Sequence, residues 1–334
     1  MRIKRQLYTL HIQLEKDTKH IGAELMCDLT KPEFQDADKA REYLEALRWP
    51  HGRVCPHCGV EGNAYKLEGK STRPGLYKCA DCRKQFTVTV GTVFERSRVP
   101  LNKWLMAAHL ICASKKGISS HQVHRMIGVT YKTAWFMTHR IREAMSEGGS
   151  PMGGGGGTVE VDETFWGGKA KKQRTQSKKG RGYAHKMKVF TLLERDGKAR
   201  SFTVPAVNSK ALAPIMEDQI AADANLMTDE ASQHTKVGRK FASHGVVSHG
   251  IGEYVRGPIH TNTIEGCFSL LKRGQIGTFH HVSEQHLKRY AGEFDFRWNY
   301  RVKNGYSDGD RADLLLTRIA GKRLMYPESS AAVQ

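Results

Sequence analysis

Two closely spaced pairs of cysteines constrain the fold of this chain more than any other feature. Cys55 and Cys58 form the first pair, and Cys79 and Cys82 form the second after 20 intervening residues. Two residues between paired cysteines let both thiolates reach one tetrahedral Zn²⁺, and the second pair completes its four ligands. Because four thiolates leave no open position, the pattern predicts a structural zinc ion. A thioredoxin-like redox pair is the alternative, but it needs only one such motif.

The 334-residue chain is strongly basic, with 53 Lys and Arg against 34 Asp and Glu and a formal charge of +19. This excess favours a polyanionic partner, most simply nucleic acid, although charge alone does not separate DNA from RNA. No apolar run approaches the roughly 18 residues of a membrane span, and the polar N-terminus does not resemble a secretory signal. Seven cysteines without an export signal argue against a disulfide framework. We therefore expect a cytoplasmic protein.

Changes in composition divide the chain into six segments. The glycine-rich segment 148–157, with five consecutive glycines at its end, is interpreted as a flexible linker because such a sequence holds no helix. The other segments are a polar helical segment 1–50, a cysteine-containing segment 51–95, a helical segment 96–147, a mixed α/β segment 158–305 and a C-terminal tail 306–334. A basic loop over 169–181 is interpreted either as a DNA-binding loop or as a loop that is only solvated.

Segment 96–147 contains a helix-turn-helix pattern. A short helix after Ser119 or Ser120 is followed by a Gly128-Val129 turn, and Thr130 then begins a longer helix. The second helix of such a motif reads DNA. The residues predicted to contact bases are Tyr131, Lys132 and Thr133, and those predicted to contact phosphates are His139, Arg140 and Arg142. An ordinary three-helix bundle with a solvated face is the alternative.

Three acidic residues of segment 158–305 are the candidate catalytic ligands. Asp162 ends a strand-like run that begins at 158, and Asp229 ends a second run that begins at 225. Glu265 lies on a helix predicted over 261–273. Asn262, Ser269 and Lys272 share its face because residues three or four apart are neighbours on a helix. Ile264, Phe268 and Leu271 form the adjacent apolar stripe, which is predicted to bury the helix.

Carboxylates from two strands and one helix can hold two Mg²⁺ or Mn²⁺ ions for phosphodiester chemistry. Asp162 is predicted to bridge the two ions, and Asp229 and a helix residue are each predicted to complete the coordination shell of one ion. Lys272 is predicted to contact a phosphate of the DNA. Glu265 is favoured over Asn262 as the third ligand because a carboxylate binds Mg²⁺ better than an amide, although the Asn262 carbonyl oxygen could also ligate. Taken singly, a strand-end Asp is usually a turn residue and a helical Glu is usually solvated.

The chain resembles bacterial insertion-sequence transposases that carry a zinc ribbon, a helix-turn-helix and a DDE-type catalytic domain, whose third position is Glu or Asn in different branches. The resemblance covers roughly residues 30–305. The matching stretches are Cys55–Cys82, Gly117–Met145, Val161–Thr164 with Gly167–Lys169, His260–Gly266 and Ser269–Gly274. Family members commonly have Tyr-Val-Gly-Gly after the Asp-Glu-Thr, where this chain has Phe165-Trp166-Gly167-Gly168.

The resemblance implies a multidomain α+β protein with a zinc ribbon over 51–95, a helix-turn-helix over 96–147 and an RNase H-like mixed α/β catalytic domain over 158–305. It implies a DNA transposase that binds terminal inverted repeats, hydrolyses a phosphodiester and transfers the strand to target DNA. The expected cofactors are structural Zn²⁺ and catalytic Mg²⁺ or Mn²⁺. The expected assembly is a homodimer or larger, in association with the bacterial nucleoid. Two alternatives stay open, namely a zinc-ribbon regulator without catalysis and a metal-dependent nuclease without strand transfer.

Overall fold

The computed structural model describes residues 29–167 and 186–324, which form two compact units. Of these residues, the first unit takes 29–114, 120–144 and 300–324, and the second takes 115–119 and 145–299. Both ends of the described chain therefore belong to the first unit. No helix in the described ranges is long and apolar enough to cross a membrane.

The first unit begins with two helices and a small sheet. Helix α1 spans Pro32–Gln35 and helix α2 spans Ala37–Arg48, within the segment predicted to be helical. The Asp36 carboxylate accepts the backbone N–H groups of Asp38 and Lys39 and so caps α2. Three short antiparallel strands follow in the order β1-β2-β3. Their bounds are Ala64–Lys66, Tyr77–Cys79 and Gln85–Phe86.

Three further helices follow the small sheet, namely α3 at Leu101–Ala113, α4 at Ser120–Ile127 and α5 at Tyr131–Met145. A three-residue turn joins α4 to α5, and Gly128 takes a positive φ of 64° within it. The Thr130 hydroxyl accepts the N–H of Thr133 at 3.2 Å and caps α5 as predicted. The apolar face of α5 is buried, and its members are Ala134, Met137, Ile141 and Ala144.

The segment 306–334, predicted as a C-terminal tail, begins with a helix that belongs to the first unit. Helix α10 spans Asp308–Thr317 and packs against α2 and α3 within the first unit. Ser307 and Asp310 form a capping box at its start. The Arg311 guanidinium donates to the carbonyl of Cys112 at 3.1 Å, and the Tyr43 hydroxyl donates to Asp313. Buried leucines and these polar contacts fix the helix in place.

The second unit is built on a five-stranded mixed sheet in the order β6-β5-β4-β7-β8. The strands are β4 at Thr158–Trp166, β5 at Met187–Glu194, β6 at Ala199–Val204, β7 at Asn225–Asp229 and β8 at Ser243–Val247. Strands β4, β5 and β6 pair antiparallel, whereas β7 runs parallel to both β4 and β8. A turn at Asp196-Gly197 joins β5 to β6.

Helices cover both faces of this sheet. One face packs on α6 at Ser209–Gln219 and α7 at Ser232–Gly238, and the other packs on α8 at Asn262–Gly274 and α9 at Glu284–Asn299. A two-stranded ribbon of β9 at Val255–Arg256 and β10 at Ile259–His260 precedes α8. The cap of α6 is Asn208, whose side chain accepts the N–H of Ala211 at 3.0 Å. The next residue, Ser209, donates its hydroxyl to the carbonyl of Gln233.

The glycine-rich segment 148–157 is not the flexible linker that its composition predicts. Met152 is buried and exchanges backbone hydrogen bonds of 2.8 Å with Gln219 and Ala221. The N–H of Gly153 donates to the Glu194 carboxylate at 3.0 Å, and the N–H of Gly157 donates to the carbonyl of Gly153. Positive φ values at positions 153, 155 and 156 explain the glycines, which form an ordered turn on the second unit.

Candidate active site and metal centre

The four paired cysteines come together in the first unit, as the sequence predicts. Their sulfur atoms all lie within 4.8 Å of one another. Cys55 and Cys82 are separated by 3.6 Å between Sγ atoms, and Cys58 and Cys79 by 3.7 Å. Four thiolates at about 2.3 Å from a tetrahedral zinc ion are themselves about 3.8 Å apart. The observed spacing and the soft donor set therefore fit Zn²⁺.

The peptide backbone presents the first pair through a tight knuckle. The N–H of Gly59 donates to the carbonyl of Cys55 at 2.9 Å. The N–H of Cys55 donates to the carbonyl of Val60, also at 2.9 Å. Gly59 has a positive φ of 77°, which favours glycine at this position. Cys79 ends β2 and is fully buried, so the second pair is held by the small sheet.

Asp162 and Asp229 lie side by side in the second unit. Strands β4 and β7 pair in parallel with Glu160 opposite Met227. Two residues further along both strands, Asp162 and Asp229 reach matching positions on the same face of the sheet. Asp229 ends β7 as predicted, but Asp162 does not end β4, which continues to Trp166 because β5 still pairs with it there. Asp162 stands where the parallel pairing with β7 has ended.

The surroundings of Asp162 favour a bound cation. Burial, together with the negative charges of Asp229 and Glu163, raises the pKa of this carboxyl to about 7. The N–H of Glu163, which donates to Asp162 Oδ1 at 2.6 Å, and the nearby His234 oppose that rise. Paired carboxylates with a strongly raised pKa are typical of functional sites.

Helix α8 brings the remaining candidates to the same face of the sheet. Asn262, Glu265 and Ser269 are exposed and Lys272 is half-buried, whereas the predicted apolar stripe is buried. The Lys272 ammonium donates to the carbonyl of Phe165, three residues beyond Asp162 on β4. Burial lowers the pKa of Lys272, and the charge of Lys186 lowers it further. Glu265 lies 3.8 Å from the Nε2 atom of His249 and is 47% exposed.

The acidic candidates do not form a closed cage. Across the two described ranges, the four cysteines are the one group of three or more potential ligands that lies within 4.8 Å. The structure therefore brings Asp162 and Asp229 together as a pair and sets Glu265 further away on α8. Hard carboxylate oxygens of this kind suit Mg²⁺ or Mn²⁺.

A buried polar cluster next to the aspartates was not predicted. Glu160 lies on β4 on the same face as Asp162 and is fully buried. It contacts Arg195 at 2.6 Å and His260 at 3.3 Å. The alternation of side chains along a strand could have placed Glu160 beside Asp162, but nothing in the sequence marks its partners. Glu163 points to the opposite face, where His234 lies 3.2 Å away.

The N-terminal turn of α5 is accessible, but its second half is not. Tyr131 and Lys132 are exposed and Thr133 is partly exposed, so these predicted base-reading residues can reach a ligand. His139, Arg140 and Arg142 are 1%, 7% and 1% exposed, which contradicts their prediction as phosphate contacts. Arg140 instead donates to the carbonyl of Glu95 and lies over the ring of Phe136. The basic loop over 169–181 lies outside the described residues.

Two domain families match this architecture. Residues 155–299 match the ISXO2-like transposase domain, and residues 35–85 match the transposase zinc-ribbon domain. The protein is thus of the transposase class. It belongs to the insertion-sequence transposases that combine these two domains.

A curated relative agrees with the domain matches. The chain is 29% identical over 280 residues to a protein from Halobacterium salinarum described as an uncharacterized protein in transposable element ISH50. The alignment covers 79% of this chain and 91% of the relative. An alignment of this length reaches into both the zinc-ribbon and the transposase domains.

Proposed function

We propose that this protein is a DNA transposase that binds the terminal inverted repeats of its element and catalyses metal-dependent phosphodiester hydrolysis and strand transfer. The observation that carries the proposal is the Asp162–Asp229 pair. Two carboxylates meet on one face of the sheet, and burial raises the pKa of Asp162 to about 7. An acidic pair beneath a helix with an exposed carboxylate and a lysine suits metal-assisted phosphoryl chemistry.

The residues of the site divide into three roles. Asp162 and Asp229 would hold two Mg²⁺ or Mn²⁺ ions, and Glu265 on α8 would complete the ligand set, with Asn262 as the alternative. When bound, such ions supply an activated oxygen nucleophile and stabilise the leaving oxygen. Asp162 would have to lose its proton to hold such an ion, because the charged carboxylate is the form that binds a metal. Lys272 stands beside β4, where its ammonium can pair with a phosphate of the DNA strand.

The topology of the second unit supports an RNase H-like fold. Its first three strands form an antiparallel meander, its next two run parallel to the first, and helices cover both faces. The residues matched by the transposase domain, 155–299, contain the entire sheet and its covering helices.

DNA recognition is proposed for the first unit. Helices α4 and α5 with their glycine turn have the arrangement of a helix-turn-helix, and Tyr131, Lys132 and Thr133 occupy the exposed first turn of the second helix. The formal charge of +19 supports binding to the DNA backbone and association with the nucleoid. Because both element ends must be joined, we expect at least two copies in the complex with DNA.

The test is a strand-transfer assay with the full zinc-loaded chain, a labelled inverted-repeat duplex, a target plasmid and Mg²⁺. Wild-type protein is expected to nick the duplex and join the freed 3′ end to the target. Asp162→Asn and Asp229→Asn are expected to bind the duplex normally and to do neither. Nicking without joining would support a nuclease, and binding without metal-dependent nicking by the wild type would support a regulator.

A further inference from the structure

A fully buried carboxylate joins the two segments that carry the proposed metal ligands. Glu160 lies on β4, two residues before Asp162 and on the same face of the sheet. Its Oε2 atom accepts the backbone N–H of Ile264 at 2.9 Å. Ile264 lies in the first turn of α8, next to Glu265 and two residues after Asn262. One side chain therefore connects the strand of Asp162 to the helix of the third ligand.

This contact replaces a helix cap. The first N–H groups of a helix have no partner within the helix, and an anionic acceptor there is favoured by the helix dipole. Thr261 precedes α8, but its side chain makes no capping hydrogen bond. The acceptor is supplied by Glu160 from another element, so the hydrogen bond that caps α8 also fixes its position against β4.

Arg195 neutralises the buried charge of Glu160 and holds the chain segment that leads into α8. Its Nε atom donates to Glu160 Oε1 at 2.6 Å. Its terminal nitrogens donate to the carbonyls of Pro258 at 2.6 Å and His260 at 2.7 Å, both just ahead of α8. A buried carboxylate without a partner is strongly unfavourable, so Glu160 and Arg195 act as one unit.

We propose that Glu160, together with Arg195, is a positioning residue that sets the separation between Asp162 and the ligand face of α8. This inference rests on the proposed function. The first turn of α8 has no side-chain cap of its own, and Glu160 supplies the hydrogen bond that ties this turn, where Asn262 and Glu265 are exposed, to β4. Loss of the negative charge at position 160 leaves the proposed metal ligands in the chain but loosens their arrangement.

The test is Mn²⁺ titration of the full zinc-loaded chain, in which the electron paramagnetic resonance signal of free Mn²⁺ reports the bound fraction. Glu160→Gln keeps the shape of the side chain but turns an amide toward Arg195. It is expected to weaken Mn²⁺ binding by about 10- to 100-fold, the range found when groups that orient metal ligands are lost. Amide hydrogen exchange of the peptide containing Ile264 is expected to accelerate.

Glu293→Gln is the matched control. Glu293 is a fully buried carboxylate of the same unit and contacts Arg297 at 2.6 Å, but both residues belong to α9. Its replacement is expected to lower thermal stability to a comparable extent while Mn²⁺ affinity and exchange at Ile264 stay at wild-type values. A purely structural role for Glu160 predicts that the two variants behave alike.

The outcomes separate this inference from the proposed function. Unchanged Mn²⁺ affinity in Glu160→Gln, with binding lost in Asp162→Asn, overturns the inference alone. A wild-type chain that binds no Mn²⁺ outside the zinc site overturns both. If Glu160→Gln does not fold, Arg195→Lys carries the test, because Arg195 is partly exposed and lysine cannot donate to all three acceptors. Wild-type affinity in that variant also overturns the inference.

Discussion

Asp162 and Asp229 stand at matching positions on adjacent parallel strands, although 66 residues separate them in the chain. The sheet places the two carboxylates together, so their proximity depends on strand pairing rather than on loop conformation. The charge of one carboxylate then acts on the other, adding to the effect of burial on the pKa of Asp162.

Metal affinity is expected to depend on pH near neutrality. The pKa of Asp162 is raised from 3.8 to about 7, so this carboxyl is protonated below pH 7 in the metal-free protein. Mn²⁺ affinity should rise by roughly tenfold per pH unit up to about pH 7 and then level off, because the proton must leave before the metal binds. Titrations at pH 6, 7 and 8 measure this. A flat profile would show that Asp162 is already ionised at pH 6.

The raised pKa of Asp162 is expected to make the stability of the metal-free fold decrease with rising pH, whereas Mn²⁺ affinity increases. The folded state holds the Asp162 proton more tightly than the unfolded state, so stability without metal falls as pH rises from about 4 through 7. Urea unfolding of the metal-free wild type and Asp162→Asn, both with zinc retained, measures this dependence. The variant should lack the part of the slope that Asp162 contributes. Equal slopes in the two proteins would contradict the raised pKa.

The third ligand is testable by comparing Glu265→Gln with Asn262→Ala. Glu265 carries a full negative charge for a divalent cation, whereas Asn262 offers only a carbonyl oxygen. We expect Glu265→Gln to lower single-turnover cleavage by about a hundredfold, which corresponds to about 3 kcal/mol, and Asn262→Ala to lower it by less than about tenfold. The reverse order would assign the third position to Asn262. Both side chains are exposed, so neither substitution should affect folding.

DNA binding is expected to depend on the first turn of α5. Lys132→Ala should weaken binding to the terminal repeat more than binding to an unrelated duplex, because Lys132 is predicted to contact bases. The loss of its charge beside the DNA backbone should also lower the slope of log affinity against log salt concentration by about one unit. Fluorescence anisotropy at several salt concentrations measures that slope. Lys39→Ala is the control, since Lys39 is exposed on α2 and already pairs with Glu42. Equal slopes for Lys132→Ala and wild type would exclude a phosphate contact at this position.

Zinc removal should unfold the small sheet selectively. The core around the cysteines is small, and its buried members are Cys55, Tyr77, Cys79 and Phe86. So small a core needs the metal to hold its strands together. We expect about one zinc ion per chain. Chelation should accelerate hydrogen exchange over residues 51–90 while the strands of the second unit stay protected, and uniform protection without zinc would contradict a structural role.

Local sequence patterns predicted the strands and helices that carry the candidate site, but not the contacts that support them. The strand at 225–229 and the buried stripe of α8 follow directly from local periodicity. The contacts of Glu160 with Arg195 and Ile264 could not be predicted, because these residues are 35 and 104 positions away and meet only through the tertiary fold. Burial of Arg140 was missed for the same reason. Helix α10 was missed although Ser307 and Asp310 form a capping box that is readable in the sequence.

Two glycines of segment 148–157 allow a paired test of whether this segment is an ordered turn or the flexible linker that its composition predicts. Gly153 and Gly155 have nearly equal positive φ values of 75° and 74°. A Cβ atom at position 153 would lie 2.7 Å from both the Ala224 Cβ and the Val159 Cγ2 atoms, whereas one at position 155 would meet nothing within 4 Å. The two alanine variants therefore share the same backbone strain and differ in packing.

Gly155→Ala should lower the free energy of unfolding of the second unit by about 1–2 kcal/mol through the left-handed backbone alone. Gly153→Ala should lower it by about 1–3 kcal/mol more, because the extra methyl group must displace packed atoms. Urea unfolding followed by amide hydrogen exchange of peptides from β4 and β7 compares them, because tryptophans occur in both units. A flexible linker would tolerate both substitutions equally, so equal stability of the two variants would contradict the ordered turn and restore the composition-based prediction.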